Sequence, residues 1–189
     1  FPSGKELRWL DLQSFRLKSD RILNFEATAN GTIVNVKPDF SRATTPYFIF
    51  KDVNGQFLIS NSESIDSDNQ NDYATVVFTY VPPNRLPLVG ETLYLSGSLT
   101  NNVLDETSEM KFNAVTRAYQ KSLLLKQGYY SYSYILRDKT APDPMLDFNE
   151  TEGDHWETEN AYSIFIYYRP PGARHDHLIG FTTVHSNQY

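Results

Sequence analysis

The 189-residue chain contains no cysteine, two methionines, two tryptophans and only nine glycines. Without cysteine it can build no disulfide scaffold, thiol nucleophile or thiolate metal site, although this does not fix the compartment. Long apolar runs are also missing. The longest, Tyr162-Ser-Ile-Phe-Ile-Tyr-Tyr168, falls far short of the roughly 20 residues a spanning helix needs. There is no basic excess: 17 Lys and Arg stand against 23 Asp and Glu, for a net charge of −6. That balance argues against nucleic acid or an anionic membrane surface as the main partner. No Gly-x-Ser-x-Gly elbow, phosphate-cradling glycine loop or His-Glu-x-x-His motif occurs. No signal peptide is recognised, and the opening at Phe1 rather than Met is read as that of a processed or trimmed piece, from which any targeting segment could have been lost.

What is abundant is aromatic: 12 Phe, 13 Tyr and 2 Trp, in a chain that is 40% hydrophobic and long enough to bury a core. The hydrophobic period is two almost everywhere. Tyr130, Tyr132, Tyr134 and Leu136 face one way, and Ser131, Ser133 and Ile135 the other. Phe48 and Phe50 alternate with Ile49 in the same way. No helix is expected, and the fold class is all-β, an antiparallel β-sandwich.

Two Asn-Gly pairs predict hairpins with type I′ turns, one at Asn30-Gly31 between strands 22–29 and 32–37, the other at Asn54-Gly55 between 47–53 and 56–60. With a strand over 8–15, the first 60 residues read as about five strands in a meander. Residues 61–72 are polar and loop-like, with a single large apolar residue, Ile65. They divide a hairpin-rich segment, 1–71, read as part of a sandwich truncated at its N-terminus, from an immunoglobulin-like sandwich domain, 72–189. In the second part, strands are expected at 73–81, 92–97, 110–113, 161–169 and 178–184. A third hairpin is expected to turn at Lys126-Gln127-Gly128, between 119–125 and 129–136.

Charge is uneven. Residues 1–137 carry 14 acidic and 14 basic side chains, while 138–189 carry 9 acidic and 3 basic, so the last 52 residues hold the whole net charge. A solvated acidic loop between two strands is the plain reading, and a recognition surface for a basic partner the sharper one. Asp66-Ser-Asp68-Asn-Gln70-Asn-Asp72 starts like a calcium loop, yet Asn71 and Val77 stand where an EF-hand needs Gly and Glu, so a polar linker is expected. His175 and His177 lie on one side of an extended segment and could be two metal ligands, but a site needs at least a third. Carboxylates from Asp143 to Glu159, Glu150 and Glu152 among them, could serve glycoside hydrolysis only if a pair faced across a cleft. Tyr129, Tyr130, Tyr132 and Tyr134 could stack on sugars, but core packing of one face is favoured. No catalytic residue, metal or cofactor is called for.

Two passages carry a family resemblance. The first runs Leu93-Tyr-Leu-Ser-Gly-Ser-Leu-Thr-Asn-Asn102, then Met110, then Tyr119-Gln-Lys-Ser-Leu-Leu-Leu-Lys-Gln-Gly-Tyr-Tyr-Ser-Tyr-Ser-Tyr134. The second runs Glu152-Gly-Asp-His-Trp-Glu-Thr-Glu-Asn-Ala-Tyr-Ser-Ile-Phe-Ile-Tyr-Tyr-Arg-Pro-Pro-Gly-Ala-Arg-His-Asp-His-Leu-Ile-Gly180. With Glu6-Leu-Arg-Trp-Leu-Asp-Leu-Gln-Ser-Phe15, they resemble the type IX secretion system plug proteins of Bacteroidota, long classed as a domain of unknown function. The resemblance implies a periplasmic, outer-membrane-associated, non-enzymatic β-protein whose partner is the outer-membrane translocon barrel. It also implies a missing N-terminal part. Partner contacts are then expected from Glu157, Glu159, Arg169 and Arg174, the two arginines being tied to neighbouring carbonyls or to those two glutamates. The first passage is also similar to early-set, glycogen-binding immunoglobulin-like modules, which makes a carbohydrate-binding module the alternative. Its run from Gly97 to Val103 lacks that pattern's Phe and stacking Trp.

Overall fold

β-branched and aromatic residues in a period of two favour a pleated, half-buried surface, and strands make up nearly all of the regular structure among the described residues. A computed structural model describes residues 3–49, 53, 55–63, 70–140 and 146–186. Among them are β1 (Arg8–Asp11), β2 (Ile22–Thr28), β3 (Gly31–Val36), β4 (Asp39–Phe40), β5 (Phe57–Ile59) and β6 (Tyr73–Val81). Then follow β7 (Glu91–Ser96), β8 (Lys111–Asn113), β9 (Ala118–Lys126), β10 (Gly128–Asp138), β11 (Ala161–Tyr168) and β12 (His177–His185). The helical content of the described residues is one short 3-10 turn, Ser98–Thr100.

The fold is an all-β sandwich. One sheet is built on β10, which pairs antiparallel with β1 and β5 along its first half and with β7 along its second. The other has the order β2-β3-β6-β9-β8, with β4 also on β6. It is antiparallel except where β3 and β4 run parallel to β6. The inner faces meet through Phe78 edge-on to Tyr132 at 5.1 Å and Tyr80 against Tyr134 at 4.9 Å. Leu10, Leu12, Ile22, Val34, Val76, Leu93, Leu95 and Met110 complete the core. Each such apolar side chain contributes about 1.5–3 kcal/mol by leaving water.

That core corrects the expected boundary at 71/72. β3 from the first segment pairs with β6 from the second, β1 and β5 flank β10, and residues of both segments share one cluster. Among the described residues five strands do lie before residue 60, but they are divided between the two sheets rather than wound as a meander. Neither segment has an inner face complete enough to bury alone.

Three local expectations also change. The first hairpin forms, yet Thr28 pairs with Gly31, so Ala29-Asn30 make the turn and Gly31, at φ +121°, opens β3. Asn30 does not take positive φ, as a type I′ turn requires. The second hairpin does not form in the described residues. Gly55 keeps positive φ (+74°) and the Gln56 N–H closes a turn on the Val53 carbonyl, but β5 pairs with β10, and Tyr47, Phe48 and Ile49 form no strand. Phe50, Lys51, Asp52 and Asn54 lie outside the described residues, as do positions 64–69, which hold most of the calcium-like run.

The third hairpin is a crossing instead. β9 and β10 lie in opposite sheets, because each has an apolar face and the sandwich buries the two against each other. Buried Gln127 makes the corner. Its backbone N–H donates to the Asp72 carbonyl at 2.8 Å and its side-chain oxygen accepts the Asp72 N–H at 2.9 Å. At Gly128 the chain passes so close to β5 that a Cβ would stand 2.4 Å from the Leu58 carbonyl oxygen.

Candidate functional site

Strand alternation places an arginine inside. Arg8 and Leu10 pair with Tyr132 and Tyr130, so all four point into the core, while Trp9 and Tyr129 point out. Arg8 and Asp39 are almost wholly buried, and so is Glu152, at 2% exposure. The Arg8 Nη1 meets Asp39 Oδ1 at 2.7 Å, its Nε meets Glu152 Oε1 at 3.0 Å, and its Nη2 donates to the Phe40 carbonyl at 2.8 Å. Arg21 also reaches Asp39 Oδ1, and Arg42 holds Glu152 Oε2 at 2.6 Å.

The remaining acceptor sites are filled by tyrosines. The hydroxyls of Tyr132 and Tyr134 both donate to Asp39 Oδ2 at 2.9 Å, and the Tyr134 N–H donates to Glu152 Oε1 at 2.9 Å. Burial disfavours the charged Arg8 guanidinium, but Glu152 and Asp39 outweigh it and hold its pKa above the ordinary value. Burial, then Asp39, raises both tyrosines. A buried network of this kind is satisfied only as a whole, and it fixes which segments meet. Its carboxylates are occupied, so Glu152 is removed from the set available for glycoside chemistry.

Glu152 also corrects the picture of a solvated acidic loop. Asp147 forms a two-way backbone bridge with Leu136, and Asp154 accepts the Ser3 and Gly4 N–H groups at 2.6 and 2.8 Å. Residues 147–160 therefore fold over the body and clamp the first described residues. Asn160 donates to the Ser3 carbonyl at 2.9 Å, and Thr158 to Gly4 at 2.8 Å.

From this clamp rises the ribbon of β11 and β12, which joins neither sheet. Tyr162, Ile164 and Ile166 share one face with Val184, and Phe165 and Tyr167 share the other with Phe181. Phe165 and Phe181 touch at 5.0 Å between ring centres. Nine large apolar side chains of the ribbon, on both faces, remain 45–63% exposed. No Asp, Glu, Lys or Arg stands within β11 or β12.

The four expected contact residues do not converge. Glu157 and exposed Glu159 lie at the ribbon's root, while Arg169 and exposed Arg174 lie at its tip, with the eight residues of β11 between. That length is roughly 26 Å at the usual rise per residue. Arg169 is tied to neither glutamate: it forks onto Asp176, at 2.7 and 2.9 Å. A turn from the Pro170 carbonyl to the Ala173 N–H closes the tip. The rings of His175 and His177 stack at 4.8 Å, and among the described residues no group of three or more His, Asp or Glu is placed to hold a metal.

Of the four tyrosines proposed as a sugar platform, Tyr130, Tyr132 and Tyr134 are buried in the core. Tyr129 remains on the outer face, stacked on Trp9 at 6.0 Å and 9°. A cleft of about 590 Å³ opens at the ribbon's root, lined by Lys5, Leu7, Phe148, Glu152, Glu159 and His185. The Lys5 ammonium there is engaged by the Thr45 carbonyl at 2.9 Å and the Arg42 carbonyl at 3.2 Å, and burial, then Arg42, lowers its pKa.

Sequence reasoning missed Arg8, Asp39 and Glu152 as a unit. The one available signal was an arginine at an inward position of an alternating strand. The chain is similar to the crystal structure of a hypothetical protein from Parabacteroides merdae ATCC 43184, with 38% sequence identity and a TM-score of 0.88. The match covers 98% of this chain and 45% of that one, so this chain spans a little under half the length of the structure it resembles. No protein-family model matches the chain, and no curated protein matches it.

Proposed function

We propose that this chain is a non-enzymatic protein-interaction component, periplasmic and associated with the outer membrane, resembling the plug of the type IX secretion translocon. The observation that carries this reading is the ribbon, a strand pair held off the sandwich by a clamped root, with a tip locked by the Arg169–Asp176 fork. The second family-like passage, residues 152–180, supplies a buried clamp residue, strand β11 and the tip. It reads as an arm and the means of holding it. Arg174 and the histidine pair are the groups offered to a partner, and Arg169 positions them.

Affinity recovery of the full gene product from outer-membrane extract tests this. Co-purification of the translocon barrel, reduced at least tenfold by Arg174→Ala, is the expected result. Loss of the barrel under conditions that preserve it overturns the reading.

A carbohydrate-binding reading rests on one observation, the near-parallel Trp9–Tyr129 pair on the outer face. Calorimetric titration with polysaccharide fragments, repeated on Trp9→Ala, separates it from the first.

A further inference from the structure

The ribbon's shaft is built for contact on both sides. A lone two-stranded ribbon is marginal in water, and contiguous exposed apolar surface marks a contact. Here Ile164, Ile166 and Val184 stand on one face and Phe165, Tyr167 and Phe181 on the other, with no charge between them. Beyond the β11–β12 pairing, neither strand has a further sheet neighbour among the described residues. A twofold-related copy would lay one face or one edge against its equivalent and leave the others bare.

We propose that the shaft of the ribbon is the seat of a further domain of the same polypeptide, which takes in both faces. Two observations argue for that occupant. More than half of the Parabacteroides merdae chain lies outside the match, and 98% coverage of this chain leaves no room for the ribbon to be outside it. Ser3 and Gly4 are hydrogen-bonded to Asp154, Thr158 and Asn160, so the first described residues are held at the root of the shaft, where a preceding domain would be joined. Such a tether raises the effective concentration of the two parts to the millimolar range. The proposal rests on reading the ribbon as an arm, but it concerns the shaft and leaves the tip to the partner.

The absence of cysteine in this chain makes the test direct. Ser163→Cys reports the Phe165 face, Thr182→Cys the Ile164 face and His175→Cys the tip. Maleimide labelling is compared between the 189-residue chain and the full gene product. Hydrogen exchange of β11 and β12 amides in the unmutated proteins gives an independent readout. Both shaft thiols should be slowed about 100-fold or more in the full product alone, with the tip thiol fast in both. Fast shaft thiols in the full product, or a gene that encodes no further domain, overturn the proposal. Protection of one face only overturns it too, as does concentration-dependent protection in the 189-residue chain, which would make a second copy the occupant. Translocon recovery is read separately, so failure there leaves this result standing.

Discussion

The Arg8 guanidinium and the Glu152 carboxylate lie 144 residues apart in the chain and 3.0 Å apart in the fold. The pair joins the first strand of one sheet to the segment that roots the ribbon. Glu152→Ala leaves Arg8 and Arg42 without this partner and the Tyr134 N–H without an acceptor. A loss of about 3–5 kcal/mol is expected, since breaking a buried pair strands the remaining charge. Urea unfolding measures it, and a loss under about 1 kcal/mol would show that the network does not clamp the fold.

Gly128→Ala should destabilise by about 1–3 kcal/mol. The cause is the 2.4 Å approach of a Cβ to the Leu58 carbonyl oxygen, a backbone atom that cannot swing away. Unchanged thermal stability would mean that the crossing from β9 to β10 is not as close as described.

Alkaline titration should separate the core tyrosines. Burial pushes Tyr80 and Tyr130 up to about 12, and it raises Tyr132 and Tyr134, with Asp39 adding to both. Their folded values lie above the ordinary 10.0 of the unfolded chain. The stability they contribute is fully present below pH 10 and is lost as pH rises through the folded values. The phenolate absorbance of these rings should therefore appear together with loss of tertiary structure. Their titration near pH 10 in the folded protein would contradict the buried placement.

Glu91 gives a second use of the same linkage, with the same sign. Burial raises its pKa, and Glu150, Asp147 and Asp138 raise it further. Its contribution is then fully present below the ordinary 4.5 and lost as pH rises through the folded value, so the carboxylate is unfavourable at pH 7. Glu91→Gln should melt higher than the parent at neutral pH, with the gap closing below pH 4.5. A lower melting temperature at pH 7 would show that Glu91 makes a favourable contact instead.

Much of the candidate site was invisible in the linear pattern. Arg169 was legible as an ordered arginine, but its partner, Asp176, was seven residues away across a turn rather than Glu157 or Glu159. Glu152 was one of seven acidic residues from Asp143 to Glu159. Nothing in its local spacing distinguishes a carboxylate that meets Arg8 from one that faces water. The ribbon's strands were legible, but their isolation was not, because an apolar run looks the same whether a sheet, a second domain or solvent lies against it.

The sequence by itself determined the strand class and most strand positions. A period of two puts alternate side chains on opposite faces whatever lies beyond them, and Tyr73–Val81 forms over the expected span. It also determined that Tyr130, Tyr132 and Tyr134 share a face. Only the tertiary structure decided which strands share a sheet, that β9 and β10 cross between sheets, and that two chain halves make one core. Those outcomes depend on hydrogen bonds and charges between distant residues, Arg8 and Glu152 among them at 144 positions apart. No local period encodes them, because the free energy of burying two apolar faces is gained only when the distant face arrives.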